Sequence, residues 1–282
     1  MPKSTYQLKS IPGLTFERWG PDKPSQTVIF LHGLGASRRQ WFCQLPVFSK
    51  EFDVIAWDAR GFGDSLAAGL PVSIAGFASD LLALIKELKL EKVILVGSSL
   101  GGRIALEFAS RYPEHLAGIV LCDAYPGMGA WFMPRKLLAL AVRWRLRHLY
   151  SGKKTLAQIA EQMAPRLGTR ASSASVLTLL KEGLSRCDRK SFLKAVEVVF
   201  ADTAAPDLTA IQVPTLVLSG TKDKITPPFI ARYLAGKIPN AQLVWLENCG
   251  HVGNLERPEI FNPLLQIFLI SLKNELNHCL FA

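Results

Sequence analysis

Residues 92–112 read KVILVGSSLGGRIALEFASRY, and they join an apolar run to a helical pattern through a short glycine-rich turn. Lys92–Val96 is predicted to be a buried strand, and Leu100–Tyr112 an amphipathic helix. Only Ser99 fits the central position of a G-x-S-x-G pattern between them. A serine on so sharp a turn has a strained backbone, and a glycine two residues to either side gives the room that the turn requires. The pattern predicts a nucleophilic Ser99 at a helix N-terminus, where the backbone N–H of Leu100 can bind an oxyanion.

The alternation of apolar strand and helical pattern continues on both sides of this stretch. Strands that alternate with helices are typical of a parallel sheet covered on both faces. Residues 5–19 alternate loosely around Pro12-Gly13, which predicts a hairpin. The predicted strands are Thr27–Leu31, Phe52–Trp57, Lys92–Val96, Leu116–Leu121, Pro214–Ser219 and Gln242–Leu246, and the further predicted helices are Ser73–Leu90, Thr226–Ala235 and Pro258–Leu272.

Residues 126–205 interrupt this alternation with helical periodicity and no good strand. The sequence therefore predicts a core formed by residues 1–125 and 206–282, with a helical insertion at 126–205. Residues 131–200 contain 14 Lys and Arg but 4 Asp and Glu, whereas the rest of the chain has 19 of each kind. The net charge of +10 thus comes from one segment, which indicates a local electrostatic role.

A serine hydroxyl needs a neighbouring base, held by an acid, to become a nucleophile. His251 follows the strand Gln242–Leu246, and Asp223 follows the strand Pro214–Ser219. Both therefore belong to the edge at which the carboxyl ends of parallel strands collect. Asp123 also follows a strand and is the alternative acid. We expect the catalytic residues to be Ser99, Asp223 and His251, in the chain order nucleophile, acid and histidine.

Four motifs, in this order, resemble those of the α/β-hydrolase superfamily over essentially the whole chain. They are His32-Gly33 after a strand, Asp58-x-x-Gly61-x-Gly63-x-Ser65, the turn Gly97–Gly101, and Gly250-His251 followed by Glu256-x-Pro258. The resemblance implies an α/β-hydrolase fold, with a mostly parallel sheet, helices on both faces and residues 126–205 as an inserted helical lid. It also implies a second oxyanion donor, the backbone N–H of Leu34. Such motifs say little about the substrate.

The type of nucleophile narrows the chemistry that this resemblance implies. Haloalkane dehalogenases and epoxide hydrolases of this fold use Asp where this chain has Ser99. Hydrolases of C–C bonds usually have Gly-Pro-Gly after the His-Gly pair and Trp after the histidine, where this chain has Leu34-Gly35-Ala36 and Val252. The resemblance thus favours a serine esterase that hydrolyses a small-molecule carboxylic ester or thioester. A C–C hydrolase and a non-catalytic receptor of the same fold remain alternatives.

The insertion supplies candidate residues for a pocket and for a partner surface. Residues Arg135–Tyr150 form a basic amphipathic pattern, in which the apolar face can cover the active site while the arginines are simply solvated. The functional alternatives are attraction to an anionic membrane surface and docking of an acidic acyl carrier protein. The second alternative resembles the pimeloyl-carrier-protein methyl ester esterases, which share a Ser-Leu-Gly-Gly turn such as Ser99–Gly102. Nucleic acid is not expected, because no recognised binding motif accompanies the charge. The candidate pocket residues are Trp131, Phe132, Met133, Leu138 and Phe192, and the candidate docking residues are Arg143, Arg145 and Arg147.

The amino-acid composition of the whole chain excludes several classes of protein. Hydrophobic residues make up 49% and charged residues 20% of the 282, which excludes a disordered or low-complexity chain. No apolar run approaches the length of about 18 residues that a membrane-spanning helix needs. The N-terminus lacks a signal-peptide pattern, and the five cysteines have no paired spacing, so we expect a cytoplasmic protein with free thiols. Neither a metal site nor a nucleotide-binding loop is predicted, and no cofactor is expected.

Overall fold

The computed structural model describes residues 4–21, 26–65, 72–127, 155–169, 173–185, 187, 189–201 and 205–279. Its described strands are β1 (Ser4–Gln7), β2 (Thr15–Trp19), β3 (Thr27–Leu31), β4 (Asp53–Trp57), β5 (Val93–Ser98), β6 (Leu116–Cys122), β7 (Thr215–Gly220) and β8 (Ala241–Leu246). Its described α-helices are α1 (Leu45–Phe48), α2 (Ile74–Glu87), α3 (Leu100–Arg111), α4 (Leu156–Leu167), α5 (Ser173–Ser185), α6 (Arg189–Ala201), α7 (Pro228–Lys237), α8 (Gly253–Glu256) and α9 (Pro258–Cys279).

The eight strands form one sheet in the order β1-β2-β4-β3-β5-β6-β7-β8. β1, β2 and β4 pair antiparallel, whereas every pair from β4 to β8 is parallel. The predicted hairpin over residues 5–19 is confirmed by the pairing of β1 with β2. The predicted mostly parallel sheet is confirmed as well, and β3 and β5 lie at its centre.

Both faces of the sheet are covered, because successive residues of the central strands alternate between two apolar cores. On β5, Val93 and Leu95 pack into the core that contains α2 and α3. Ile94 and Val96 pack into the opposite core, with Phe261 of α9. All six residues of β5 are buried, as expected for a central parallel strand. This burial fixes the end of β5, and therefore the turn at Ser99, rigidly in the molecule.

The chain between β6 and β7 contributes α4, α5 and α6, and its described residues contain no strand. α4 begins with a capping box in which the Thr155 side chain accepts from Gln158 N. The division of the chain into a core and a separate lid stays a prediction. None of the helices formed by the described residues is long and apolar enough to cross a membrane.

Candidate active site

Ser99 occupies a strained turn between β5 and α3. Its backbone has φ 51° and ψ −109°, a region that residues other than glycine rarely adopt. The N–H of Ser99 donates to the carbonyl oxygen of Cys122 at 2.9 Å, which ties the turn to the end of β6. A Cβ on Gly97 would overlap the backbone of Gly101, and a Cβ on Gly101 would overlap the carbonyl of Leu31. Both glycines of the pattern are therefore required by backbone contacts.

Replacement of Gly101 by alanine is expected to destabilise the protein by at least about 3 kcal/mol, at the upper end for overpacking. The new methyl group would meet the carbonyl oxygens of Leu31 and His32, which are backbone atoms and cannot rotate away. Gly236→Ala in α7 is the matched control, because a Cβ there has nothing within 4 Å. Thermal unfolding would measure both variants. Equal midpoints for Gly101→Ala and the wild type would contradict this reading of the turn.

The three residues predicted as a catalytic set lie together at the carboxyl ends of the strands. His251 Nε2 is 2.9 Å from Ser99 Oγ, and His251 Nδ1 is 2.8 Å from Asp223 Oδ2. With its proton on Nδ1, the imidazole donates to Asp223 and accepts the hydroxyl hydrogen of Ser99. His251 and Asp223 are buried, whereas Ser99 is partly exposed. The arrangement can pass a proton from an accessible hydroxyl to a buried, oriented base.

Asp223 and Asp123 have different hydrogen-bond partners. Asp223 Oδ1 accepts from Ile225 N and Thr226 N, while its Oδ2 accepts from the Thr226 hydroxyl at 2.6 Å. Asp123 Oδ1 instead accepts from Gly220 N at 2.9 Å. Of the two carboxylates, Asp223 makes the hydrogen bond to His251. Asp123 joins the end of β6 to the end of β7 from within the same buried region.

The charges of His251, Asp223 and Asp123 affect one another strongly because all three side chains are buried. Burial opposes protonation of His251, but the charge and hydrogen bond of Asp223, then the charge of Asp123, outweigh it and raise the pKa of His251. Burial favours a neutral Asp223, yet the charge and hydrogen bond of His251 lower the pKa of Asp223. Burial, then the charge of Asp223, raises the pKa of Asp123 to about 7. His251 can accept a proton from Ser99 only above its own raised pKa.

The loop after β3, residues 32–36, lies against Ser99. An ideal Cβ on Gly33 would be 3.6 Å from Ser99 Cβ. Buried Gln40 holds this loop, because its Oε1 accepts from Gly33 N and its Nε2 donates to Ser98 Oγ. His32 fixes the loop from the other side: its Nδ1 is 2.8 Å from Gly33 O, and its Nε2 accepts from Ala59 N. The assignment of the Leu34 and Leu100 N–H groups as an oxyanion hole stays a prediction.

Comparisons with known proteins identify the family. Residues 26–258 match the model of the alpha/beta hydrolase fold family. The chain is 31% identical over 247 residues to a protein of Pseudomonas syringae pv. syringae (strain B728a) that bears the name "Putative carbamate hydrolase RutD", and the match covers 86% of this chain and 93% of that protein. The chain belongs to the α/β-hydrolase fold family.

An enol-lactonase and an esterase are also similar to this chain. This chain is 26% identical over 248 residues to 3-oxoadipate enol-lactonase 2 of Acinetobacter baylyi, and the match covers 87% of this chain and 88% of that protein. Among solved structures, an esterase from Thermogutta terrifontis has a TM-score of 0.77 at 28% identity, covering 96% of this chain and 98% of that one. The predicted α/β-hydrolase fold is confirmed, and the protein is a hydrolase of this fold.

Phe192 is the one candidate pocket residue that the structure describes. It is buried on α6, and its Cε2 would be 3.4 Å from an ideal Cβ on Gly35. Leu180 and Leu184 of α5 approach the same glycine, so an apolar surface of α5 and α6 lies against the loop after β3.

The other candidates lie outside the described residues: Trp131, Phe132, Met133 and Leu138 for the pocket, and Arg143, Arg145 and Arg147 for docking. Docking of an acidic carrier or membrane, the similarity to pimeloyl-carrier esterases and a cytoplasmic location stay predictions.

Sequence reasoning missed two polar residues that support the candidate site, Gln40 and Thr226. Glu256 was quoted as part of the motif that begins at Gly250-His251, but it was given no role. Gln40 lies in a short 3₁₀ helix after the β3 loop, where nothing in the sequence distinguishes it from a surface glutamine. Thr226 follows Asp223 by three residues, and Asp223 Oδ1 accepts from the backbone N–H groups of Ile225 and Thr226, the second and third residues after it. That local pattern is an Asx-type turn, and it is the one feature of the sequence from which the contact between Asp223 and Thr226 could have been predicted.

Proposed function

We propose that this hydrolase cleaves carboxylic esters, cyclic esters included, through an acyl-enzyme on Ser99. The observation that carries the proposal is the continuous hydrogen-bonded series Ser99–His251–Asp223 at a strained, partly exposed turn. Relatives named as an esterase and as enol-lactonases support an ester as the substrate. A receptor without catalytic activity would not need an oriented base within hydrogen-bond distance of the hydroxyl of a partly exposed serine.

The first half of the reaction forms the acyl-enzyme. His251 Nε2 takes the hydroxyl proton as Ser99 Oγ attacks the ester carbonyl carbon, and Asp223 stabilises the resulting imidazolium. The N–H groups of Leu34 and Leu100 bind the oxyanion, each donor contributing about 3–4 kcal/mol to transition-state stabilisation in comparable sites. The C–O bond to the alcohol then breaks, and His251 returns the proton to the leaving alkoxide.

The second half releases the acid and restores the enzyme. Water gives a proton to His251 Nε2 and attacks the acyl carbon, and the same two N–H groups bind the second oxyanion. Collapse of this intermediate breaks the bond to Ser99 Oγ, which regains its proton from His251. The carboxylic acid departs, so the balance is ester plus water to acid plus alcohol.

The experiment that tests the proposal is turnover of a p-nitrophenyl ester series from acetate to palmitate, with a γ-lactone and a p-nitrophenyl carbamate alongside. We expect ester hydrolysis with a rapid burst of p-nitrophenol, and a mass increase on the Ser99 peptide equal to the acyl group when the reaction is quenched with acid. The chain-length optimum measures the acyl pocket. Preference for the carbamate over every ester would replace the ester assignment. Absence of turnover together with absence of acylation at Ser99 would overturn the proposal.

A further inference from the structure

The loop that carries His251 is held by the end of an inserted helix. His251 N donates to the carbonyl oxygen of Leu167, the last residue of α4, at 2.6 Å. An ideal Cβ on the neighbouring Gly250 would be 2.7 Å from that same oxygen. The backbone at the histidine therefore packs directly against the C-terminal end of α4. Leu167 and His251 are 84 residues apart in sequence, so this contact joins the insertion to the proposed base.

Glu256 makes the same connection a second time, through its side chain. Its Oε1 accepts from Gly250 N at 2.8 Å, and its Oε2 accepts from Thr169 N at 3.0 Å. One carboxylate thus bridges the backbone before His251 and the backbone after α4. Hydrogen bonds from N–H groups to an ionised carboxylate are about twice as strong as those to neutral acceptors.

A carboxylate suits this bridge because both of its oxygens accept. A glutamine of the same size has one accepting oxygen and one NH₂ group, so one of the two N–H groups would lose its partner. The loop between β8 and α8 has no regular secondary structure, and Asn248 within it has φ 59°. Such a loop depends on contacts from outside itself for a defined position.

We propose that Glu256 is a positioning residue for His251, and that the segment 167–169 of the inserted helices is part of the support of the reacting base. The proposal rests on the proposed function, since it concerns the same Ser99–His251 pair. Errors of about 1 Å in the position of a reacting group cost on the order of 100-fold in rate. Glu256 therefore acts on the rate through His251, without contact with the substrate.

The test is the rate at which a fluorophosphonate inactivates the full-length protein, measured as a function of pH. This probe phosphonylates the nucleophilic serine directly, so it reports the Ser99–His251 pair whatever the natural substrate is. For Glu256→Gln we expect inactivation about 10- to 100-fold slower than for the wild type. The acid limb of the profile should also move to lower pH, because Asp223, Asp123 and Glu256 all raise the pKa of His251 and one of these charges is gone.

Two further variants distinguish the effect of the negative charge of Glu256 from the effect of its two hydrogen bonds. Glu256→Asp keeps the charge on a side chain one methylene shorter, so we expect slower inactivation with the acid limb unmoved. Thr169→Pro removes the N–H that donates to Glu256, together with the threonine hydroxyl, and Gly168 already has the extended backbone that a following proline requires. Thr169→Val, which lacks the hydroxyl but keeps the N–H, is the control for this variant. We expect Thr169→Pro to slow inactivation as well. An unchanged rate there would remove the segment 167–169 from the proposal.

Glu259→Gln is the matched control. It removes the same charge three residues away, from an exposed side chain whose partner is Arg257. We expect the wild-type rate and profile for this variant. If the wild type itself fails to react at Ser99, the proposed function is wrong. If the wild type reacts and Glu256→Gln matches it in rate and profile, losing only thermal stability, the positioning role is overturned while the proposed function stands.

Discussion

Replacement of Ser99 by alanine is expected to lower kcat for ester hydrolysis by about 10⁶-fold, the loss reported for the serine of a related triad. The variant keeps the methylene that packs at the turn but has no oxygen to form the acyl-enzyme. Any remaining rate would come from oxyanion binding and from water acting on a bound ester. Steady-state turnover of the best p-nitrophenyl ester, together with loss of the acylated peptide, measures the effect.

Ser219→Ala is a suitable control for Ser99→Ala. Ser219 is also a buried serine near the carboxyl end of a strand, and within the described part of the chain its hydroxyl has no hydrogen-bond partner. We therefore expect Ser219→Ala to keep wild-type kcat and stability. A Ser99→Ala protein that retained more than a few per cent of the wild-type rate would show that a different group attacks the substrate.

The turn at Ser99 could be predicted because backbone contacts dictate its residues. Gly97 and Gly101 have no room for a side chain, so the fold imposes a spacing that is visible in the sequence. The central strands were equally predictable, since burial on both faces requires a continuous apolar run. β5 begins at Val93, one residue after its predicted start, and continues two residues past its predicted end, through Gly97 and Ser98, which lack an apolar side chain.

The supporting roles of Gln40 and Glu256 could not be predicted from the sequence, although Glu256 belongs to a quoted motif. Gln40 and Glu256 act on backbone N–H groups of distant segments, and a backbone N–H is present at nearly every residue. The residue type that supplies the N–H therefore gives no indication in the sequence that such a hydrogen bond will form. α9 was likewise predicted to end at Leu272, because the apolar periodicity fades there, although the helix continues to Cys279.

The choice between Asp223 and Asp123 leads to the second large expected effect. Asp223→Asn should lower kcat by about 10⁴-fold, because an asparagine amide opposite His251 Nδ1 favours the wrong tautomer and removes the charge that stabilises the imidazolium. The acid limb of the pH profile should move to lower pH as well, since the charge of Asp223 raises the pKa of His251. The profile of kcat/KM against pH measures both changes.

Asp123→Asn is the matched variant, with the same chemical change at a neighbouring buried carboxylate. Its remaining carbonyl oxygen can still accept from Gly220 N, the hydrogen bond between the carboxylate and the Gly253 backbone is lost, and His251 keeps Asp223 as its partner. We therefore expect kcat within a few-fold of the wild type and a smaller shift of the acid limb in the same direction. A large loss in Asp123→Asn with a small one in Asp223→Asn would make Asp123 the acid.

A double variant that combines Asp223→Asn with Asp123→Asn tests whether Asp123 can replace Asp223 as the carboxylate that supports His251. The charge of Asp223 is one cause of the raised pKa of Asp123, about 7, so Asp223→Asn should leave Asp123 more fully ionised near His251. Any residual activity of Asp223→Asn that depends on this second carboxylate will disappear when Asp123→Asn is added. If the double variant instead equals Asp223→Asn, the residual rate comes from Ser99, His251 and the oxyanion donors alone. Asp123 then has only the structural task of joining the ends of β6 and β7.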